Sequence, residues 1–177
     1  MSVLVKNILR AIFFMLIQVF ILDKIVIGKL FTPYLYFLFI LWLPFSTSRA
    51  WLMLIGFAYG FVLDSFRHNP GFHAAASVLI AYARPFLVSL FISQEGADTN
   101  FAEPSIKSMG GFMPYAIFIT TLTLLHNGWI FLLEAWQFGG FWYFVGKTIF
   151  STVISALLII IAELIFVRKQ KFRTNTV

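Results

Sequence analysis

The sequence predicts an all-α integral membrane protein, with about six transmembrane helices in one compact bundle. Three observations predict it. Apolar residues make up 60% of the 177 and charged residues only 11%, against roughly a quarter charged in a soluble domain. Apolar runs such as 30–45 and 148–162 are continuous, without the alternation of a membrane β-barrel strand. A helical crossing takes about 20 residues, so the length accommodates about six crossings with short connections and one domain over 1–177. The mean hydropathy of +0.91 agrees, since a soluble exterior of this composition would not be wetted.

The first span is expected over 3–22. Lys6 and Arg10 precede an apolar run, as in a secretion signal, but the run ends in Asp23-Lys24 without a small-residue cleavage site; an uncleaved first helix follows. The second span is expected over 30–48, with Pro33 and Pro44 near its ends, where proline is tolerated. Ser46-Thr47-Ser48 turns into the third, 49–66. Arg67-His68-Asn69-Pro70-Gly71 is a turn sequence, and the fourth span runs over 72–93, with a kink expected at Arg84-Pro85. The stretch 94–111 is the long hydrophilic loop. The fifth and sixth spans are 112–133 and 142–167, the last being long enough to tilt, and 168–177 is a basic tail.

Orientation follows from Lys and Arg counts. With six spans, one side holds Lys6, Arg10, Arg49, Lys107, Arg168, Lys169, Lys171 and Arg173, and the other holds Lys24, Lys29, Arg67 and Lys147. Both termini are therefore expected in the cytoplasm. Of the residues behind the net charge of +6, Arg168, Lys169, Lys171 and Arg173 follow directly on an apolar span; this cluster reads as a topology anchor that can also meet anionic headgroups, and no nucleic-acid partner is expected. With no cysteine in the chain, disulfides and thiolate metal sites are excluded.

An ionisable group within a span is by default a functional candidate. Gly56, Gly60 and Asp64 fall four apart on one helix face. Glycines at this spacing admit a neighbouring helix closely, so one reading is a packing seam ending in a polar contact. In the other, Asp64 reaches headgroups or caps the next turn. Arg84, which shares a face with His73 and Ser77, also has two readings. It binds an anionic ligand or headgroup between helices, or it snorkels to the interface while Pro85 breaks the helix. Thr120, Thr123, Asn127 and Glu134 form a stripe with His126 beside it. Asp64, Arg67, His68, His73, His126 and Glu134 lie toward the outer side, as a pocket opening outward or as wet helix ends joined by charge pairs. Glu163 is expected to pair with Arg168. Three histidines without metal-ligand spacing, isolated glycines and no nucleophile–base arrangement leave no catalytic site, metal or cofactor to assign.

The stretch LPFSTSRAWLMLIGFAYGFVLDSFRHNPGFHAAASVLIAYARPF, 43–86, resembles the signature region of the rod shape-determining MreD family. The resemblance rests on Pro44, the Gly60-x-x-x-Asp64 end of the third span, the Pro70-Gly71 turn, Ala74-Ala75-Ala76 and Arg84-Pro85, with size and span count also fitting. It implies a non-enzymatic scaffold of the bacterial cytoplasmic membrane that binds MreC and, indirectly, MreB, RodA and a penicillin-binding transpeptidase. Its implied role is support of lateral peptidoglycan synthesis and rod shape. Helix packing or partner contact is expected at Gly56, Gly60, Asp64, Gly71 and Ala74, and buried polar roles at Arg84, His73 and Asn127. The family is also similar in fold to the substrate-binding subunits of energy-coupling-factor transporters. A small-molecule-binding subunit of that type is thus the alternative function, with Trp129, Trp136, Tyr143, His73 and Asn127 as candidate pocket walls. The loop acids Glu95, Asp98 and Glu103 are expected to meet cytoplasmic or inner-leaflet components.

Overall fold

The computed structural model describes residues 3–25, 32–68, 70–91, 102–138 and 140–166, with backbone alone for 3 and 135–138. Among them are helices and irregular segments, with no strand. Helix α1 (Val3–Leu16) continues through a π turn (Ile17–Ile21) and a 3₁₀ turn (Leu22–Lys24). A short α2 (Leu38–Leu41) follows, then α3 (Arg49–Arg67), α4 (Phe72–Phe91), α5 (Phe112–Phe138) and α6 (Phe141–Ile165). Among the described residues, five helices are long and apolar enough to cross a membrane: Leu4–Lys24, Arg49–Arg67, Phe72–Phe91, Phe112–Glu134 and Phe141–Ile165. The chain is a multi-pass membrane protein.

The second span departs from expectation. Residues 32–37 are not helical, α2 is a single turn, and the chain opens again at Trp42. This segment runs lengthwise through the bundle. At one end the Thr32 N–H donates to Ser151 Oγ of α6, and at the other the Phe45 N–H donates to the Ala102 carbonyl. No residue of 34–43 is more than 7% exposed. The physical reason is satisfaction of the backbone. Irregular backbone survives at membrane depth only where protein surrounds it and pairs its polar groups. Here side chains from three helices do so. Gln18 accepts from the N–H groups of Leu35 and Tyr36 and donates to the Pro33 carbonyl; Ser155 accepts from the Tyr34 N–H. Arg84 donates to the carbonyls of Leu41, at 3.3 Å, and Leu43. The π turn of α1 carries Gln18, which is fully buried.

Helices α3 and α4 form the tightest pair, because glycine removes the side chains between them. A Cβ on Gly60 would lie 2.5 Å from the His73 carbonyl oxygen and 2.6 Å from the Ala74 Cα; one on Gly56 would lie 2.9 Å from the Ser77 carbonyl oxygen. Lipid tails are as apolar as the side chains, so close packing and hydrogen bonds, not burial from water, hold such helices together. Pro85 does not break α4 as the snorkelling reading of Arg84 requires; the helix runs through it to Phe91.

Two polar ends bound the bundle. At one, Glu103 pairs with Lys6 at 3.3 Å and Arg10 at 2.9 Å. At the other, Arg67 pairs with Asp23 at 3.2 Å and Lys147 with Glu134 at 2.6 Å.

Candidate functional site

Asp64 organises the α3–α4 turn. Its Oδ2 accepts from the N–H groups of Gly71 and Ala74, each at 3.0 Å, and its Oδ1 from the His73 N–H at 2.9 Å and ring Nδ1 at 2.7 Å. The first N–H groups of a helix have no intrahelical partner. Asp64 therefore caps α4 from the preceding helix, doing what an N-cap carboxylate does. The packing seam and the cap are both present. The headgroup reading is not, since Asp64 is 2% exposed. Gly71, at φ +92, takes a conformation that suits glycine.

His73 links this cap to a second group of charges. Its Nε2 lies 2.7 Å from Arg67 Nη1. A guanidinium only donates, so Nε2 accepts and Nδ1 carries the proton shared with Asp64. Arg67 Nη1 also donates to the Tyr34 hydroxyl at 3.0 Å, and the guanidinium stacks 5.2 Å over the Tyr34 ring. Asp23, Tyr34, Arg67 and His73 thus form one cluster, drawn from the end of α1, the irregular segment and both arms of the α3–α4 pair.

Facing it, Lys147 near the start of α6 donates to both carboxylate oxygens of Glu134, at 2.6 and 2.7 Å, and lies 4.7 Å from the Phe131 ring centre. Between the two groups opens a cavity of about 560 Å³ lined by charged, polar and apolar residues, Lys24, Val19 and Ile130 among them. Of the residues expected to gather at that end, Arg67, His73 and Glu134 line the cavity, whereas Asp64 and His126 do not.

A separate polar chain runs inside the bundle. Asn127 Nδ2 donates to Thr152 Oγ1, which leaves its Oδ1 to accept from His126 Nδ1 at 3.0 Å; His126 Nε2 then accepts from the Tyr36 hydroxyl at 2.6 Å. Tyr36 in turn lies 3.2 Å from the Ser77 hydroxyl. Each of these five side chains is at most 5% exposed.

Several sequence expectations are corrected. Arg84 does not snorkel; it is 2% exposed, and its Nε and Nη2 donate to carbonyls of the irregular segment. The α5 stripe divides, because Thr120 is exposed while Thr123 and Asn127 are buried. Of the expected pocket walls only His73 lines the cavity; Asn127 belongs to the inner chain, and Trp129 and Tyr143 are 38% and 40% exposed. The Trp136 side chain lies outside the described residues. His68 ends α3 in the left-handed conformation and is exposed, with no part in the charge cluster. Glu163 accepts from the Tyr115 hydroxyl at 3.1 Å, whereas Arg168 lies outside the described residues. Glu103 is pinned to Lys6 and Arg10 instead of facing outward, and Glu95 and Asp98 lie outside the described residues.

The sequence reading passed over Gln18, Tyr34, Ser151, Ser155 and Lys147. Four carry a signal, an amide in mid-span, two serines four apart and a lysine followed by an apolar run, and Tyr34 carries none. Among the described residues, no three His, Asp or Glu side chains gather as a metal site would require. Comparison with protein-family models, curated proteins and solved structures gives no match for this chain.

Proposed function

We propose that this protein is a non-catalytic membrane scaffold of the MreD kind, which binds MreC and supports lateral peptidoglycan synthesis from the bacterial cytoplasmic membrane, with both termini inside. One observation supports the reading above the rest. Several residues that carry the resemblance over 43–86 hold the backbone of that stretch. Asp64 holds Gly71 and Ala74, Gly60 packs on Ala74, and Arg84 holds Leu43, which precedes Pro44. Such contacts fix a shape, which is what a scaffold needs. The glycine seam is consumed within the chain, so a partner's span would meet a face other than Gly56 and Gly60.

The cavity favours a second reading, a small-molecule-binding subunit of the energy-coupling-factor type, since its volume falls within the usual range of ligand pockets. Affinity purification of the tagged chain from its native cells in mild detergent distinguishes the two. The scaffold reading expects a single-span coiled-coil protein together with wall synthases. Paired ATPases with a coupling subunit would establish the second reading, and recovery of neither set overturns both.

A further inference from the structure

The cavity between the two ion pairs holds one more cation than its carboxylates neutralise. Asp23 is matched to Arg67 and Glu134 to Lys147. Lys24, which also lines the cavity, is exposed and has no partner among the described residues. Arg67 itself has donors to spare. Its Nη1 makes two hydrogen bonds, to Tyr34 and His73, and its Nη2 makes none to a described residue. The guanidinium cannot swing freely, because Asp23, the Tyr34 hydroxyl, the Tyr34 ring and His73 all hold it. A guanidinium fixed in place with its Nη2 donors unused is preorganised for an anion such as phosphate.

Position narrows the ligand further. Lys24 and Arg67 are the last residues of their spans and Phe72 is the first of its span. All three line the cavity, which therefore lies at the depth where a bilayer changes from acyl chains to headgroups. Its walls include Phe66, 57% exposed on the flank of the bundle, with Phe72 and Ile130 further in. A cationic rim above apolar walls at this depth matches an amphiphile's head better than a wholly polar solute.

We infer that this cavity is a binding site for a phosphate group, held by Lys24 and the Nη2 group of Arg67. The group is carried either by an anionic membrane lipid or by a free phosphate. The inference holds for either reading of the protein's function, because it concerns the ligand class of the cavity and not the partners of the chain.

The test uses the whole chain purified in detergent. Native mass spectrometry measures retention of phosphatidylglycerol against phosphatidylcholine, and melting temperature is followed in inorganic phosphate against chloride at equal ionic strength. The Lys24→Gln variant removes a charge without breaking a contact, so it keeps the fold. It should cut retention of phosphatidylglycerol about fivefold, the factor one cationic side chain contributes toward an anionic surface. Arg67→Lys, which keeps the charge but loses the Nη2 donors, should reduce it as well where the variant melts as the parent does. A phosphatidylglycerol preference lowered by Lys24→Gln assigns the site to a lipid headgroup. Stabilisation by inorganic phosphate, lowered in the same variant, assigns it to the free anion. Equal retention of both lipids with no phosphate effect overturns the inference, and so does a preference that Lys24→Gln leaves unchanged.

Discussion

The side-chain oxygen of Gln18 lies 2.8 Å from the backbone nitrogen of Leu35 and accepts its hydrogen bond in the interior of the bundle. A side chain thus stands in for the helical carbonyl that Leu35 lacks. The same amide serves Tyr36 and Pro33, and it donates to Asp23 at 2.8 Å. One residue in α1's π turn therefore holds the start of the irregular segment and one carboxylate of the polar cluster.

Replacing Gln18 by Leu keeps the volume and strands two N–H groups and a carbonyl away from water. A buried polar group left unpaired costs about 1–3 kcal/mol, so Gln18→Leu should destabilise the protein by about 2–4 kcal/mol after partial relaxation. Gln18→Glu keeps the acceptor for Leu35 and Tyr36 but places a second carboxylate beside Asp23, so it should also destabilise. Thermal unfolding in detergent measures both. A Gln18→Leu protein that melts with the parent would show that the irregular segment is held by something else.

The glycine seam gives a graded prediction. Overpacking a tight interior costs about 1–3 kcal/mol. At Gly60 an added methyl meets backbone atoms of His73 and Ala74 at 2.5–2.7 Å, and backbone cannot step aside as a side-chain tip can. Gly60→Ala should therefore fall at or above the top of that range. At Gly56 the nearest atom is the Ser77 carbonyl oxygen at 2.9 Å and the next is the Ala81 Cβ at 3.3 Å, so Gly56→Ala should cost less. The order of melting temperatures is the test, and the reverse order would refute the close approach at Gly60.

How far this arrangement is legible in sequence depends on where its cause lies. Helices α1, α3, α4, α5 and α6 follow from long apolar runs, and the Gly56–Gly60–Asp64 face follows from a spacing of four within one helix. The segment 34–43 has the same apolar composition a spanning helix would have, so composition cannot separate the two forms. What decides is the set of hydrogen-bonding partners, and these lie far away in the chain at Gln18, Arg84, Ser151 and Ser155. The same holds for the cavity. Asp23 and Arg67, or Glu134 and Lys147, read singly as span-end charges; only the packing of the helices makes them pairs facing one opening.

Asp64 offers a test of the cap. Four donors converge on its two oxygens. Asp64→Asn keeps one acceptor and turns an NH₂ group toward the remaining donors, so it should destabilise by about 1–3 kcal/mol. Asp64→Ala leaves all four donors without it and should cost more than Asp64→Asn. Hydrogen exchange at the start of α4 should rise in the same order. Unchanged exchange in Asp64→Ala would mean the α4 N-terminus is satisfied in another way.

The irregular segment makes a prediction that needs no mutation. A second transmembrane helix over 30–48 would turn one face to lipid, as every helix at the edge of a bundle does. Here every residue of 34–43 is at most 7% exposed, whereas Trp51, Leu54, Phe57 and Phe61 on α3 are between 51% and 60% exposed. A photoactivated diazirine lipid inserts into whatever side chain it touches. In reconstituted membranes, peptides covering the outward face of α3 should carry the label, and those covering 34–43 should carry little or none. The contrast is informative because both segments are strongly apolar, so a reagent that only partitioned by hydrophobicity would label them alike. Labelling of alternate turns within 34–43 at the level seen on α3 would restore the lipid-facing helix. It would also remove the reason for the burial of Gln18 and Arg84.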